Sequence, residues 1–395
     1  MAIYIKASIL IMPKLQQNII IVNDFDYING GAAKVAIDWA RIYRDQGKNV
    51  VFFSAVHQDT DLLSEIQYVS TNQQEFLYDK SRFLGALRGL YNYKAYKEFK
   101  KLLLQYDPNN TIICIHGWIK ALSCSIWNAA WELGFKIQIT AHDYFLACPN
   151  GGFFNYPQNT ICHLKPLSIK CCQCNCDSRS YFLKIYRCIR FFIQNKIVNI
   201  QKKTNAIITI SNFSESMLKP FFLASVDVIR IPNPVDSIPL TERIKAEEND
   251  YSLFVGRLSK EKGCELFCKA ICELGLKGVV VGDGSEFNYL KQAYPLLKFV
   301  GWKSHADVFE YMKKARALVF PSLWYEAAPL TVPEAMSIGL PCVVSNCCAA
   351  KDNVIDDKNG MLFFGLEEFK NQLKKMQEYN FLKNMSINAF SSKGT

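Results

Sequence analysis

Two cations follow a glycine at the end of a predicted strand in the sequence FVGRLSKEKG. Arg257 comes directly after Gly256, and Lys262 and Gly263 open a predicted helix. In an open parallel α/β sheet, ligands bind at the carboxyl ends of strands, where helices also begin and present unpaired N–H groups. A guanidinium that binds phosphate oxygens in pairs, beside a compact ammonium, suits a diphosphate. We therefore predict a diphosphate site at Arg257 and Lys262; solvated surface charge is the alternative.

Two carboxylates eight residues apart follow the predicted strand ALVF, in WYEAAPLTVPEAMSIGLP. Glu326 lies in the loop after the strand, and Glu334 lies in the first turn of a helix that begins near Pro333. Both are expected at the same sheet edge as Arg257. Because carboxylates accept hydrogen bonds from hydroxyl groups, the pair predicts recognition of a ribose and of a second sugar. The alternative for Glu334 is compensation of the helix dipole, which contributes about 0.3–1 kcal/mol.

Glycines and histidines follow predicted strands in the first half of the chain. Gly30 and Gly31 lie in NGGAAK, between a predicted strand and a predicted helix, and suit a close approach of backbone to a ligand. His142 ends the predicted strand ITAH, and His116 ends an earlier one. A histidine at such a strand end could hydrogen-bond a sugar. The alternative is a structural role, with each ring held by backbone groups.

Cysteines are concentrated in one short segment of the chain. Six of the 15 cysteines fall within residues 148–176. Four thiolates can bind zinc tetrahedrally, so the segment predicts a structural zinc site, with Cys148, Cys162, Cys171 and Cys176 as the first ligand set. The alternative is a set of reduced thiols, since an odd number of cysteines in a large chain without an export signal indicates a reducing compartment.

Positioning these residues requires two parallel sheets. Short apolar runs of the kind found in buried strands alternate with helical patterns in both halves of the 395-residue chain. This alternation predicts an α/β fold with two doubly wound parallel-sheet domains. The proline-containing segment IPNPVDSIPLTERIKAEEND is typical of a linker and gives domains at residues 1–232 and 233–395. Residues 1–11 are expected to be an extension, because Met12 opens an ordinary protein start, and residues 148–176 form a cysteine-rich loop.

Basic residues exceed acidic residues and give a net charge of +10. The excess suits an anionic partner, and the lack of an aromatic-basic RNA signature argues against nucleic acid. The pattern of basic and apolar residues over 179–203 predicts one long basic helix that docks on an anionic membrane surface. The alternative is a domain helix with one buried face. No apolar run reaches the ~20 residues of a membrane span, and no signal cleavage site is found. We expect a cytoplasmic protein, peripheral on the inner face of the membrane.

Four motifs occur in order in the second half: G-R-L-x-x-x-K-G, G-D-G, G-W and E-A-x-x-x-x-x-x-E-A-M-x-x-G-x-P. They resemble the motifs of family-4 retaining glycosyltransferases of the GT-B fold, of the bacterial surface-polysaccharide type. The resemblance is specific in residues 251–364 and looser in the first half. It implies two Rossmann-like domains that face one another across a cleft. It also implies a nucleotide-diphosphate sugar as donor and a glycan or lipid-linked molecule as acceptor.

The resemblance implies roles for the residues named above. The family binds its donor diphosphate with two cations and needs no catalytic metal. The residues that match the family's donor-binding positions are Gly30, Gly31, Arg257, Lys262 and Glu334, and Glu334 is expected to bind the ribose. The catalytic residues His142 and Glu326 are expected beside the transferred sugar. His116 is expected on the acceptor side.

We expect the transfer to retain the anomeric configuration of the sugar. The acceptor is expected to attack from the front face, without a covalent nucleophile on the protein. Two alternatives use the same fold: a nucleotide-sugar epimerase, which converts the donor without an acceptor, and an inactive nucleotide-sugar binding protein. About one more helix is predicted after NGMLFF. Because the resemblance implies a further helix that returns to the first domain, the donor domain is expected to be shortened at its end.

Overall fold

The computed structural model describes residues 17–235 and 240–392. The extension predicted at residues 1–11 lies outside the described residues. The chain divides into two compact units, and two short segments of the cysteine-rich loop are grouped with the second. The first unit comprises Met1–Gly151, Leu164–Asn175 and Arg179–Pro234, and the second comprises Gly152–His163, Cys176–Ser178 and Val235–Thr395.

One parallel sheet forms the centre of the first unit. Its strands are β1 (Asn18–Phe25), β2 (Asn49–Val56), β3 (Gln67–Ser70), β4 (Thr111–Ile115), β5 (Lys136–Ala141), β8 (Ala206–Thr209) and β9 (Asp227–Arg230). The intervening strands β6 (Phe154–Asn155) and β7 (Thr160–Ile161) form a separate antiparallel pair that is grouped with the second unit. The seven strands lie in the order β3-β2-β1-β4-β5-β8-β9, with every neighbour parallel. The order reverses between β1 and β4, where an open α/β sheet forms its ligand crevice.

Polar N-caps set the start of several helices in the first unit. The side chains of Ser81, Asn92 and Ser180 each accept a hydrogen bond from the backbone N–H three residues later. Each cap satisfies a backbone donor that would otherwise lack a partner in the first turn. The helices are α1 (Gly31–Asp45), α2 (Arg82–Leu90), α3 (Tyr93–Leu103), α4 (Ser125–Glu132), α5 (Ile169–Gln173), α6 (Tyr181–Phe192) and α7 (Asn212–Leu218).

The prediction of one long helix over residues 179–203 is wrong in its length. α6 ends at Phe192 and continues as a π-helical segment, Ile193–Val198. Asn195 Nδ2 donates to the Phe191 carbonyl oxygen at 3.0 Å, and such side-chain bonds compete with the backbone ladder. Asn199 then turns left-handed, with φ of 56°, and ends the segment. Neither α6 nor any other helix of the described residues has the length and apolar composition needed to cross a membrane.

The second unit is built on a second parallel sheet. Its strands are β10 (Tyr251–Val255), β11 (Lys277–Val281), β12 (Lys298–Phe299), β13 (Ala317–Phe320), β14 (Cys342–Ser345) and β15 (Gly360–Phe363). They lie in the order β12-β11-β10-β13-β14-β15, again with parallel neighbours. The reversal falls between β10 and β13. By the same rule, the ends of these two strands are where a ligand is expected.

Both faces of the second sheet are covered, which explains why its strands read as continuous apolar runs. Leu253 packs in one core cluster and Phe254, its neighbour on β10, packs in the other, because successive strand residues point to opposite faces. Two helices follow β15, where the sequence predicted about one. The helices of this unit are α8 (Cys264–Glu273), α9 (Phe287–Ala293), α10 (His305–Lys313), α11 (Thr331–Ser337), α12 (Gly365–Lys375) and α13 (Tyr379–Ser391).

Candidate functional site

Three polar residues, Lys262, Ser322 and Glu326, meet at the strand reversal of the second unit, with Arg257 at the end of β10. β10 leads into Arg257, and β13 leads into the loop that carries Ser322 and Glu326. The Lys262 ammonium donates a hydrogen bond to Glu326 Oε1. The Ser322 hydroxyl donates to the other oxygen, Glu326 Oε2, at 2.9 Å. The structure therefore joins the predicted phosphate-binding cation to the predicted sugar-binding carboxylate, which is 64 residues away in the chain.

Arg257 is oriented by a carboxylate that the sequence analysis did not single out. Its Nη2 donates to Glu261 Oε1 at 2.7 Å, while the Arg257 side chain remains 61% exposed. Ser259 Oγ donates to the same oxygen at 2.7 Å. Glu261 is buried and directly precedes Lys262, so one short turn positions both cations. The acidic residue between two lysines in SKEKG was the available sequence signal.

Lys262 lies in a 3₁₀ turn, and α8 begins two residues later than the predicted helix start. Gly263 is the N-cap residue of α8, with φ of 70°, and the helix begins at Cys264. A Cβ atom on Gly263 would lie 1.9 Å from the carbonyl oxygen of Pro321. Glycine is therefore required for both the left-handed backbone and the close approach to the loop after β13. This approach brings Lys262 within reach of Glu326.

Glu334 is a buried carboxylate held by a histidine. It lies in α11, which begins at Thr331 rather than near Pro333. His305 Nε2, at the start of α10, lies 3.0 Å from Glu334 Oε1. Sequence reasoning missed His305, because a lone histidine at a predicted helix start carries no specific signal. Glu334 and His305 thus place a carboxylate and an imidazole ring at the same sheet edge as Arg257.

Gly30 and Gly31 lie where β1 connects to α1, as the sequence predicted. Gly30 is the N-cap residue of this 15-residue helix, and both glycines are exposed. A Cβ atom on either residue would meet no atom within 4 Å. The start of α1 exposes backbone N–H groups, which attract anions. The backbone here is therefore open to a ligand, although packing within the unit does not itself demand glycine.

The two histidines of the first unit form one pair. His116 Nδ1 lies 2.9 Å from His142 Nε2, and the ring centres are 5.2 Å apart. Burial lowers the pKa of His142 to about 4 and that of His116 well below its usual value. Both rings are therefore neutral at neutral pH, so one ring donates the shared hydrogen bond and the other accepts it. The sequence named both residues but not their contact.

We expect the histidine pair to make folding acid-sensitive, with His142 alone contributing a loss of about 2 kcal/mol between pH 7 and pH 5. The unfolded chain binds a proton on this ring below pH ~6.5, whereas the folded ring resists protonation until about pH 4. This contribution to the free energy of unfolding is therefore complete above pH 6.5. It is lost as the pH falls towards the folded pKa.

Urea unfolding of the wild type and of His142→Gln at the two pH values measures this contribution. Asp143 acts in the opposite direction, because burial raises its pKa to about 6 and the folded protein then binds the proton more readily. The difference between the two proteins isolates His142, since Asp143 is present in both. An identical pH dependence in the two proteins would contradict the expectation.

A cavity of about 260 Å³ lies at the reversal between β1 and β4 in the first unit. Its wall includes residues 23–25 at the end of β1, residues 116–120 after β4, and Asp143 after β5. Asp143 Oδ1 accepts a hydrogen bond from the Phe145 backbone N–H at 3.0 Å. His116, predicted on the acceptor side, therefore lines a pocket at the position typical of small-molecule sites in open α/β sheets.

The cysteine cluster contains a contact that the sequence did not predict. Lys184 Nζ, fully buried, lies 3.4 Å from Cys171 Sγ. A hydrogen bond with Cys188 and the charge of Lys184 lower the pKa of the Cys171 thiol to about 5. No disulfide bond is found among the cysteines of the described residues. Among the described residues no group of three or more His, Cys, Asp or Glu side chains is arranged to hold a metal ion, and the zinc set stays a prediction.

Residues 241–390 match the family model described as "Glycosyl transferases group 1". The matched region contains all six strands of the second sheet. It also contains Arg257, Lys262, Glu326 and Glu334, whereas Gly30 and Gly31, also predicted to bind the donor, lie outside it.

Two similar proteins come from bacteria. The chain is 25% identical over 262 residues to an "Uncharacterized 42.6 kDa protein in cps region" of Klebsiella pneumoniae, covering 66% of this chain and 63% of that protein. It is 31% identical over 215 residues to the "UDP-Gal:alpha-D-GlcNAc-diphosphoundecaprenol alpha-1,3-galactosyltransferase" of Escherichia coli, covering 47% of this chain and 55% of that protein. The matched regions thus span less than two thirds of these relatives' lengths.

Solved structures resemble the whole chain. HepE of Anabaena, crystallised with UDP and glucose, matches with a TM-score of 0.65 and 17% identity over 95% of this chain and 94% of that one. The lipopolysaccharide outer core galactosyltransferase WaaB matches with a TM-score of 0.60 and 18% identity over 95% and 97%. The two parallel-sheet units thus form a GT-B fold. The matched family and the Escherichia coli relative are both described as glycosyltransferases.

Proposed function

We propose that this protein is a retaining, family-4 type glycosyltransferase that moves a sugar from a nucleotide-diphosphate donor to a glycan or lipid-linked acceptor in surface-polysaccharide synthesis. The observation that carries the proposal is the contact of Lys262 with Glu326, close in the chain to Arg257, at the strand reversal of a unit that matches a glycosyltransferase family. The names of two relatives support the class. One is the galactosyltransferase of Escherichia coli, and the other is a "Lipopolysaccharide 1,6-galactosyltransferase" of Salmonella typhimurium.

Arg257 and Lys262 are proposed to hold the donor diphosphate. An ammonium has three N–H donors, and Glu326 accepts from one of those on Lys262. The Arg257 side chain is 61% exposed, and Ser259 also donates to Glu261, so the Arg257 guanidinium can turn to a phosphate without leaving the buried Glu261 carboxylate unbonded. Two cations placed in advance would stabilise the charge that builds on the departing diphosphate.

The remaining predicted residues are proposed to bind sugar hydroxyls. In the second unit, Glu326 accepts hydrogen bonds from the transferred sugar, and Glu334, positioned by His305, accepts from the ribose. In the first unit, neutral His142 hydrogen-bonds the transferred sugar, and neutral His116 lies on the acceptor side. Gly30 and Gly31 offer backbone N–H groups to the donor phosphate.

We expect sugar transfer to stay within about twofold of its normal rate after divalent metal is removed, because the two cations supply the charge that a metal would otherwise provide. Initial rates with and without excess EDTA measure this. The unfolding midpoint and the zinc content of the same samples provide the control. If EDTA lowers the transfer rate without changing the unfolding midpoint, and Mg²⁺ restores the rate, the expectation is wrong. If EDTA lowers the unfolding midpoint and zinc restores it, the metal is structural, as predicted for Cys148, Cys162, Cys171 and Cys176.

Product analysis separates the proposal from its two alternatives. A nucleotide-sugar epimerase would convert the donor sugar in the absence of acceptor, and an inactive binding protein would bind the donor without converting it. The named relatives are transferases, so neither alternative is favoured. For location, we propose the cytoplasm, with peripheral contact at the inner face of the membrane.

Thermal unfolding against a panel of UDP, GDP, ADP, CDP and dTDP tests the donor site directly. A ligand at 100 times its dissociation constant adds ~2.7 kcal/mol to the free energy of unfolding. We expect one nucleotide to raise the midpoint, and Lys262→Ala to weaken that shift. Lys260→Ala, in the same turn and exposed, is the matched control. No shift with any nucleotide would overturn the proposal.

A further inference from the structure

A buried carboxylate holds the segment that leads from β1 to α1. Asp26 directly follows β1 and is 2% exposed. Its Oδ1 accepts a hydrogen bond from the Gln58 backbone N–H at 3.0 Å. Its Oδ2 accepts from the Ser54 hydroxyl at 3.2 Å and lies 2.6 Å from His57 Nδ1. Because a buried charge is tolerated only when it is paired and hydrogen-bonded, these contacts fix Asp26 against the end of β2.

The His57 ring lies between two carboxylates. Its Nδ1 contacts Asp26, and its Nε2 lies 3.0 Å from Asp59 Oδ1. Carboxylates only accept hydrogen bonds, and a neutral imidazole has a single N–H. Both contacts are therefore hydrogen bonds only when the ring carries both protons. The hydrogen bond to Asp26 is the main cause that raises the pKa of His57 above its ordinary value, and partial burial opposes it.

The ionisable groups that contact this ring in the described structure come from three places. Asp26 comes from the end of β1, and Asp59 comes from the segment after β2. The Tyr68 ring on β3 stacks on the imidazole, with the ring centres 5.0 Å apart. Asp59 is fully exposed, and exposed ion pairs contribute little. Asp26 is therefore the partner that decides the charge of His57.

The Asp26–His57 pair lies at the start of the segment that carries the predicted phosphate-binding glycines. Asp26 is four residues before Gly30, the N-cap residue of α1. Its backbone N–H also donates to the Val56 carbonyl oxygen at 3.3 Å. Within the part of the chain that the structure describes, the backbone of residues 27–29 forms no hydrogen bond. The bonds of Asp26 are thus the last hydrogen-bonded attachment of this segment before the helix begins.

The charge of Asp26 bears on any anion that binds at the start of α1. Four residues span at most about 14 Å, so Asp26 and Gly30 lie within a distance over which charges still interact. A carboxylate there repels a phosphate. The imidazolium of His57 cancels the negative charge at its source and also holds Asp26 in place. Both effects favour an anion at the glycines.

We infer that the His57 imidazolium, acting through Asp26, positions the Gly30–Gly31 segment for the donor diphosphate and cancels a charge that would repel it. The inference rests on the proposed transferase function and makes His57 a positioning residue for it. Loss of the ring proton leaves at most a neutral hydrogen bond to Asp26. Because the pKa of His57 is raised in the folded protein, the contribution is complete below about pH 6.5. It is lost as the pH rises through the raised pKa.

Calorimetric titration of the full chain with UDP, GDP, ADP, CDP and dTDP between pH 6 and pH 9 tests this inference. For the nucleotide that binds, we expect the affinity of the wild type to fall about fivefold over this range. That factor is the difference between a charge-assisted and a neutral hydrogen bond. His57→Gln should bind about fivefold more weakly at pH 6 and lack this fall. Titration of the nucleotide itself is common to both proteins, so an identical pH dependence would overturn the inference.

Matched variants assign the effect to the Asp26–His57 pair. The double variant Asp26→Asn with His57→Gln keeps a neutral hydrogen-bonding pair, and it replaces His57→Gln if that variant, with Asp26 left buried without its cation, fails to fold. It should bind the nucleotide without the alkaline fall in affinity. Asp59→Asn and His163→Gln, both at exposed positions, should keep the fall. Its loss in either control, or its persistence in the double variant, would overturn the assignment.

NMR titration of the five histidine rings gives a readout that a purely structural role would not move. The His57 signal is the one that His57→Gln lacks. Because coupling between two binding events is reciprocal, the bound nucleotide should raise the pKa of His57, and the nucleoside of the same base, without phosphate, should not. A nucleotide that raises the unfolding midpoint but leaves this pKa unchanged would overturn the inference and leave the proposed function intact. If no nucleotide raises the midpoint, the proposed function fails and this inference fails with it.

Discussion

Lys262→Ala should lower the turnover of sugar transfer by about 10²–10³-fold, the effect of removing one preorganised charge-stabilising donor from an active site. The Lys262 ammonium is held by Glu326, which Ser322 also supports. Because its position is fixed before the donor binds, no reorganisation is required when negative charge develops on the leaving diphosphate. The loss should therefore appear in turnover as well as in donor affinity.

Two controls make this result interpretable. Lys260→Ala removes an exposed ammonium from the same 3₁₀ turn and should leave turnover near normal. For folding, the unfolding midpoint of Lys262→Ala is compared with that of the double variant with Glu326→Gln, which removes the carboxylate charge that Lys262→Ala leaves without its cation. If Lys262→Ala retains near-normal turnover while Lys260→Ala does not, the phosphate-binding role belongs elsewhere in the turn and our assignment fails.

Gly263→Ala should lower the free energy of unfolding by about 3 kcal/mol or more. A left-handed backbone costs a non-glycine residue roughly 1–2 kcal/mol, and forcing an extra carbon into a packed contact typically costs roughly 1–3 kcal/mol more. Here the added Cβ would lie 1.9 Å from the Pro321 carbonyl oxygen, which belongs to the backbone and cannot rotate away. The turn that carries Lys262 would have to move.

Gly275→Ala provides a matched control for the backbone conformation. Gly275 follows α8 with φ of 63°, but a Cβ atom there would meet nothing within 4 Å. This variant should lose only the left-handed cost of roughly 1–2 kcal/mol. Urea unfolding of both variants measures the difference. Equal losses would show that the approach of Gly263 to Pro321 relaxes freely, and that the turn is not fixed in the way we describe.

Several features of the molecule were determined by local sequence alone. The apolar run that begins at Asn18 forms β1, and α1 begins at Gly31, the second of the two predicted glycines. Arg257 lies at a strand end and Glu334 lies in a helix, as their neighbours indicated. These predictions succeed because buried parallel strands and helices carry their signals in adjacent residues. Where side chains compete with the backbone, as at Asn195, the local prediction of a continuous helix fails.

Only the tertiary structure decided which side chains meet. Lys262 and Glu326 are in contact because β10 and β13 are neighbours in the sheet although two strands separate them in the chain. His116 and His142 directly follow β4 and β5, and they form the histidine pair because these strands are neighbours in the other sheet. The pairing of Lys184 with Cys171 likewise depends on how α5 and α6 pack. Strand order and helix packing follow from the sum of many burial terms across the unit, and no short stretch of sequence encodes that sum.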